Sequence, residues 1–118
     1  MDAHQNVSGQ QFYERQLAYL QAGDVKGLID QHYHDDALLV GFDVTVRGHD
    51  ALTVHFRGYL QRLGQLEVLS TDKFVETGDT IFLEATVRTA LGAARVYDAF
   101  VLRDGKIAYH FTGVIGPI

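Results

Sequence analysis

The feature that most constrains the fold is a series of three predicted strands in the last third of the chain. Alternating apolar residues flank Asp104-Gly105, and this dipeptide favours the backbone angles of a tight hairpin turn. Residues 81–91 form the preceding strand, which turns back at residues 92–94. The sequence therefore predicts a three-stranded antiparallel meander.

The lengths of the two turns decide which side chains share a face of this sheet. A three-residue turn centred on Ala93 places Arg88 opposite Asp98. A three-residue turn at residues 103–105 places Asp98 opposite His110. The three polar side chains then form one row across neighbouring strands, which is the arrangement we expect.

A two-residue turn at Asp104-Gly105 is the alternative. It places Asp98 opposite Phe111 and moves His110 to the other face of the sheet. A cation, a carboxylate and an imidazole in one row indicate a polar catalytic site. A ladder of solvated ion pairs is the structural alternative for the same residues.

Length and composition restrict the class of protein. The 118 residues suffice for one domain, and 47% apolar and 21% charged residues are ordinary for a globular chain. The absence of cysteine excludes disulfides and thiolate chemistry. The net charge of −5 without a basic cluster argues against nucleic-acid binding. No signal pattern or membrane-length apolar run is visible, so we expect a soluble cytoplasmic protein and no membrane partner.

Two helices are predicted near the N-terminus, after a loose lead-in at residues 1–7. Ser8 and Gln11 fit a capping box for a helix that ends at Ala22. Asp24 is the predicted cap of the second helix, which ends near residues 34–36. The apolar side of the second helix carries Val25, Leu28, Ile29 and Tyr33.

Short strands at residues 37–41 and 44–46 follow, and then a third helix capped by Asp50. A long strand at residues 66–76 precedes the meander. This order predicts an α+β fold, with helices over one face of a curved, mainly antiparallel sheet. The buried side of the third helix comprises Leu52, Phe56, Tyr59, Leu60 and Leu63.

Four motifs carry a family resemblance. They are Ala22-Gly23-Asp24, residues 33–37, residues 47–52 and residues 103–107. Their order resembles that of nuclear transport factor 2-like (NTF2-like) proteins, in the SnoaL-like and ketosteroid-isomerase-like branch, over residues 8–116. The resemblance implies a single domain over residues 1–118. It also implies a cone of three N-terminal helices on the sheet, a pocket inside it, and a homodimer through the outer sheet face.

The resemblance also suggests roles for individual residues. Asp98 corresponds to the oxyanion-hole aspartate of the isomerases and to a catalytic histidine of the SnoaL-like cyclases. The isomerase base falls at Gly41, and the last-strand aspartate of the cyclases falls at Thr112, so both familiar bases are absent. The last-strand aspartate that an epoxide hydrolase of this fold would use is also absent from this sequence.

Three further positions carry over to the predicted pocket. The tyrosine of the isomerase first helix falls at Gln16, with Tyr13 one turn away. His55 corresponds to an aromatic position that lines the isomerase pocket. By alternation along its strand, Glu84 would face inward together with Arg88.

We therefore expect an enzyme that performs cofactor-independent acid–base chemistry on a hydrophobic, carbonyl-bearing small molecule. An isomerase, cyclase or dehydratase fits this description, and a non-catalytic ligand-binding or dimerisation domain is the alternative. No metal is expected, because His32 and its neighbours Asp35 and Asp36 fit a helix end. The predicted catalytic residues are Asp98 and His110, and the predicted substrate-binding residues are Arg88, His55, Gln16, Glu84, Tyr13 and Thr112.

The two faces of the predicted meander leave one conflict open. The face opposite Asp98 is the more apolar, so patterning alone would place it on the core. The resemblance places it in a dimer interface instead, which buries an apolar face equally well. Its residues are Leu83, Ala85, Val87, Ala99, Val101, Ile107, Tyr109 and Phe111.

Overall fold

The computed structural model describes residues 8–117. The predicted lead-in at residues 1–7 lies outside the described residues. The elements are α1 (Gly9–Ala22), α2 (Val25–His32), β1 (Tyr33–Val40), β2 (Thr45–Arg47), α3 (His49–Leu63), β3 (Glu67–Thr77), β4 (Thr80–Thr89), β5 (Gly92–Arg103) and β6 (Lys106–Pro117).

The strands form a six-stranded sheet in the order β2-β1-β6-β5-β4-β3, which confirms the predicted α+β class. β1 runs parallel to β6, and all other neighbours are antiparallel. Bulges in the β3–β4 and β5–β6 pairs bend the sheet. The helices bury their apolar sides on one face, which we call the inner face: Phe12 of α1, for example, meets Phe100 of β5 edge-on. None of the helices among the described residues is long and apolar enough to cross a membrane.

The first helix begins and ends as predicted. Ser8 and Gln11 form the capping box, and Gly23 closes α1 with a left-handed φ of 71°. Asp24 caps α2 by accepting a hydrogen bond from the Gly27 amide. Each such cap contributes about 1 kcal/mol of stability.

The second and third helices differ from the prediction at one end each. α2 ends at His32, so Tyr33 is the first residue of β1 rather than part of the helix. The N-cap of α3 is Gly48, with a φ of 90°, and Asp50 lies in the first turn. There its carboxylate complements the partial positive charge of the helix N-terminus.

The β5–β6 hairpin shows that the predicted turn length was wrong. Asp104 and Gly105 form a two-residue turn with φ values of 54° and 80°, and Arg103 pairs with Lys106. Such a turn alone would place His110 on the face opposite Asp98. A bulge at Ala108 adds one residue, so Phe100 pairs with His110 and Asp98 pairs with Thr112. Asp98 and His110 therefore share the inner face as predicted, although they are not direct cross-strand partners.

The predicted register between β4 and β5 was also wrong. The turn lies at residues 90–91, and Asp98 pairs with Leu83 while Arg88 pairs with Ala93. Thr89 stabilises this turn, because its hydroxyl accepts a hydrogen bond from the Leu91 amide. The shift has odd parity, so it moves Arg88 and Glu84 to the outer face of the sheet.

This register resolves the conflict between the two faces differently for each strand. Leu83, Ala85 and Val87 of β4 are buried on the inner face, so their predicted place at a dimer interface was wrong. Ile107 is also buried in the core. The outer face keeps the apolar residues Ala99, Val101, Tyr109 and Phe111 of β5 and β6.

Candidate functional site

A cavity of about 690 Å³ opens between the helices and the inner face of the sheet. This volume is within the range of about 300–1,000 Å³ that is typical of small-molecule sites. Most of its wall is apolar and comes from α1, α3 and five strands, β1 and β3 to β6. The apolar residues of the wall include Leu17, Leu20, Leu39, Phe56, Tyr59, Leu66, Val68, Leu83, Ala85, Val87, Val96 and Phe100.

Asp98 and His110 form a polar pair in this wall. The Nε2 atom of His110 lies 2.7 Å from Oδ1 of Asp98. The His110 side chain is 5% exposed and the Asp98 side chain 25% exposed. The imidazole is therefore packed behind the carboxylate, which keeps one side open to the cavity.

Aromatic rings enclose the imidazole of His110. The ring of Phe100 meets it edge-on at 4.6 Å, and the ring of Phe56 stacks at 6.4 Å between centroids. Leu83, the cross-strand partner of Asp98, is buried beside the pair. In such surroundings each hydrogen bond is electrostatically stronger than it is in water.

A chain of hydrogen bonds continues from His110 toward α1 and α2. Nδ1 of His110 lies 2.8 Å from the hydroxyl of Tyr33, and this hydroxyl lies 3.0 Å from Nε2 of Gln16. Oε1 of Gln16 lies 2.7 Å from Nδ1 of His32. All four side chains are buried, and together with Asp98 they connect α1, α2, β1, β5 and β6.

Other predicted site residues also line the cavity. Tyr13 and Gln16 reach it from α1, His55 from α3, and Thr112 from β6. The Tyr13 hydroxyl is 2.9 Å from that of Thr71, and His55 stacks on Tyr59 at 6.2 Å.

Two predicted residues lie elsewhere. Arg88 is on the outer face, 3.6 Å from Glu67, and both side chains are largely exposed. Glu84 pairs with Lys73 on the same outer face. Neither can meet Asp98 across the sheet, because the β4 register turns both away from the cavity.

Burial shifts the pKa of several groups around the cavity. It raises the pKa of the Tyr33 hydroxyl far above the ordinary value and also raises that of Tyr13. It also lowers the pKa of His55, with a smaller contribution from the positive charge of Arg62. It lowers the pKa of His32 to about 4. Tyr33 therefore keeps its proton, and His32 is neutral near neutral pH.

The positions of the absent family bases are visible in the cavity wall. Gly41 follows β1 and lines the cavity, and its amide donates to the Val44 carbonyl. The hydroxyl of Thr112 contacts the Tyr97 carbonyl at 3.4 Å. With both family bases absent, Asp98 is the carboxylate that contacts His110. Within residues 8–117, no group of three or more His, Asp or Glu side chains is arranged to hold a metal ion.

Sequence reasoning missed the roles of Tyr33 and His32. Tyr33 was assigned to the apolar side of a helix. His32 was assigned to a helix end, which is where it lies, but its burial and its hydrogen bond to Gln16 were not predicted. One signal was available, because a tyrosine on an apolar side needs a partner for its hydroxyl when it is buried. The polar side chains Gln16 and His110 are such partners, but their proximity to Tyr33 depends on the parallel pairing of β1 with β6.

Comparisons with known proteins agree with this fold. The model of the SnoaL-like domain family matches residues 11–110. No curated protein matches the sequence.

Solved structures of the same fold are similar at low sequence identity. An NTF2-like protein of unknown function from Burkholderia xenovorans is 16% identical, with a TM-score of 0.76 over 92% of this chain and 84% of that one. A candidate SnoaL-like polyketide cyclase from Shewanella putrefaciens is 12% identical, with a TM-score of 0.74 over 89% and 78% of the two chains. TerC, co-crystallised with polyporic acid, is 20% identical, with a TM-score of 0.68 over 82% and 83%.

Proposed function

The chain belongs to the SnoaL-like domain family, and from this premise we propose that it is a small enzyme that catalyses proton transfer on an apolar, carbonyl-bearing molecule. The observation that carries the proposal is the carboxylate of Asp98, which opens into an apolar cavity of about 690 Å³ and is backed by the buried imidazole of His110. The proposed chemistry needs no cofactor.

The mechanism follows from the position of the pair. An apolar ligand fills the cavity and excludes water, and its carbonyl group lies near Asp98. Transfer of a proton between the carboxylate and the carbon next to this carbonyl gives an enol or enolate, the intermediate shared by isomerisation, aldol-type cyclisation and dehydration. A positioned acid–base group of this kind contributes about 10²–10⁴-fold to a rate.

The remaining polar residues of the wall are proposed to orient the ligand. The hydroxyls of Tyr13 and Thr112 and the imidazole of His55 lie on different sides of the cavity. Gln16 faces both the cavity and Tyr33. Such sparse polar groups in an apolar wall fix the orientation of a ligand rather than supply most of its binding energy.

A homodimer through the outer face belongs to the same proposal. Tyr109 and Phe111 are stacked there at 6.4 Å between centroids, and they are 44% and 39% exposed. Large exposed aromatic residues on a strand pair are typical of an interface between subunits.

Deuterium exchange of 2-tetralone, a neutral bicyclic ketone, tests the catalytic proposal. In D₂O, Asp98 removes an α-proton and the C–H electron pair enters the enolate. The new carboxyl proton exchanges with D₂O, and transfer of the resulting deuteron back to the carbon forms a C–D bond and restores the carboxylate. Proton NMR follows the loss of the α-proton signal. We expect wild-type protein to exceed the buffer rate, and Asp98→Asn to lower the catalysed rate at least about 100-fold.

Asp50→Asn is the matched control, because this carboxylate lies on the exposed first turn of α3. It should retain the wild-type rate. Saturable chemical-shift changes on 2-tetralone binding, with equal exchange in wild type and Asp98→Asn, would support a non-catalytic binding domain instead. Binding without catalysis would thus overturn the proposal.

A further inference from the structure

The five residues from His32 to Asp98 form a continuous series of hydrogen bonds with an acceptor at one end. The ionised carboxylate of Asp98 has no proton to donate, so Nε2 of His110 must carry the hydrogen between them. The next bond joins Nδ1 of the same ring to the Tyr33 hydroxyl, and its direction depends on which of the two atoms carries the hydrogen.

The orientation of Gln16 determines that direction. Its amide NH₂ group points to the Tyr33 hydroxyl, and its carbonyl oxygen points to Nδ1 of His32. The Tyr33 oxygen therefore accepts from Gln16, and its own hydrogen is directed to Nδ1 of His110. In this arrangement every bond of the series has one donor and one acceptor.

A protonated His110 would break this order. Its Nδ1–H would face the Tyr33 hydroxyl, whose oxygen already accepts from Gln16. The Tyr33 hydrogen would then lose its acceptor inside the core unless the Gln16 amide turned over. Turning the amide would in turn require Nδ1 of His32 to become an acceptor.

We propose that Gln16 and Tyr33 act as positioning residues that hold His110 in its neutral form, protonated at Nε2, so that Asp98 alone exchanges a proton with the ligand. The part that concerns exchange rests on the proposed function, whereas the form of His110 does not. His110 then orients the carboxylate through one hydrogen bond and does not itself transfer the proton.

This assignment narrows the class of substrate. With His110 neutral, the part of the cavity around Asp98 carries a negative charge. Arg62, on the exposed side of α3, is the one lysine or arginine among the described residues of the cavity wall. A ligand group beside Asp98 is therefore expected to be neutral, since an anion there would be repelled. A ketone or other neutral carbon acid fits, and a carboxylate next to the reacting carbon does not.

The experiment is ¹⁵N NMR of histidine-labelled protein near neutral pH, in the absence of ligand. The titratable groups around His110 and Asp98 are His55 of α3, Tyr33 of β1, Tyr13 of α1 and Tyr59 of α3. We expect His110 to show a protonated Nε2 and an unprotonated Nδ1. Two protonated ring nitrogens in the wild-type protein would overturn the inference, and this measurement needs no variant.

Tyr33→Phe tests whether the chain is the cause. It removes only the hydroxyl, so Nδ1 of His110 should lose the signal shift of a hydrogen-bonded acceptor. Nε2 stays protonated opposite Asp98, and a doubly protonated ring should appear beside the neutral form. Tyr19→Phe is the control, because Tyr19 packs edge-on against His32 but lies outside the series. An unchanged His110 spectrum in folded Tyr33→Phe protein would show that the chain does not position the ring.

Exchange of 2-tetralone separates this inference from the proposed function. We expect Tyr33→Phe to lower kcat about 10-fold with little change in KM, whereas Tyr19→Phe should match the wild type. The expected wild-type spectrum without any catalysed exchange would leave the form of His110 confirmed and reject the proposed function. A normal kcat in Tyr33→Phe, with the altered spectrum, would reject the positioning role.

Discussion

Leu83 lies directly opposite Asp98 on the neighbouring strand, and its side chain is 1% exposed. The carboxylate thus has a buried apolar neighbour on β4 and the imidazole of His110 on β6 as its hydrogen-bond partner. Because the partner is a neutral ring in our proposal, the pair is a hydrogen bond rather than a buried ion pair. Catalysis and stability are therefore expected to respond differently when Asp98 is changed.

Asp98→Asn should cost about 1 kcal/mol of unfolding free energy or less, because the amide oxygen can still accept from His110. A buried ion pair would lose about 3–5 kcal/mol when one partner is neutralised. Urea denaturation of wild type and variant measures the difference. A loss of the larger size would contradict the neutral form of His110 and would favour a structural role for the pair.

Leu83→Ala should destabilise the fold by about 2–5 kcal/mol, as large-to-small changes of buried leucines do. The cost is expected near the lower limit, because Leu83 already borders the cavity and a new void can join it. Urea denaturation is again the measurement. Leu91→Ala, at the exposed β4–β5 turn, is the control and should stay within about 0.5 kcal/mol of wild type.

Tyr33→Phe should cost about 1–3 kcal/mol, because the Gln16 amide and Nδ1 of His110 would lose their shared partner within the core. Thermal and urea denaturation measure this loss. Tyr19→Phe keeps its ring contact with His32 and should change stability by less than about 0.5 kcal/mol. Equal stability of the two variants would mean that water replaces the Tyr33 hydroxyl at no cost.

The protein should become less stable as the pH is lowered, because of the titration of His32. Burial, together with the nearby Arg15, lowers its pKa from 6.5 to about 4. Between these two values the unfolded chain binds a proton that the folded protein does not, so the free energy of unfolding rises with pH across this window. The penalty begins below pH 6.5, is complete below about pH 4, and amounts to at most about 3 kcal/mol.

His32→Gln removes this titration and retains a side-chain N–H for Gln16. The difference between the wild-type and variant stability curves should slope between pH 4 and 6.5 and be flat above that range. His34→Gln, near the start of β1, is the control for loss of a histidine outside the series of hydrogen bonds. A difference curve without slope would mean that the buried ring is protonated in the folded state.

Tyr109→Glu should dissociate a homodimer that forms through the outer face, because it places a charge among its apolar residues. Sedimentation equilibrium measures the mass. Val54→Glu, on the exposed side of α3, adds the same charge elsewhere and should leave the mass unchanged. A monomer in the wild-type protein would remove the outer face from the proposal.

Local patterns in the sequence predicted the ends of α1, the cap of α2 and the strand order of the meander. Ser8 with Gln11, and Gly23 after Ala22, act on the backbone within a few residues, so neighbours in the chain suffice to predict them. The place of Asp98 in the cavity wall was expected from the family resemblance. The place of Arg88 on the outer face was not predicted. The β4–β5 turn has two residues instead of three, and this difference exchanges the side chains that face inward and outward along β4.

The sequence by itself determined the α+β class, the caps of α1 and α2 and the alternation of apolar residues along β4, since each depends on local chemistry or on a period of two. The tertiary structure alone decided that the bulge at Ala108 returns His110 to the face of Asp98. It also decided that the parallel pairing of β1 with β6 brings Tyr33 to the same ring. Both outcomes depend on contacts between residues 77 and 12 positions apart, which no short pattern encodes.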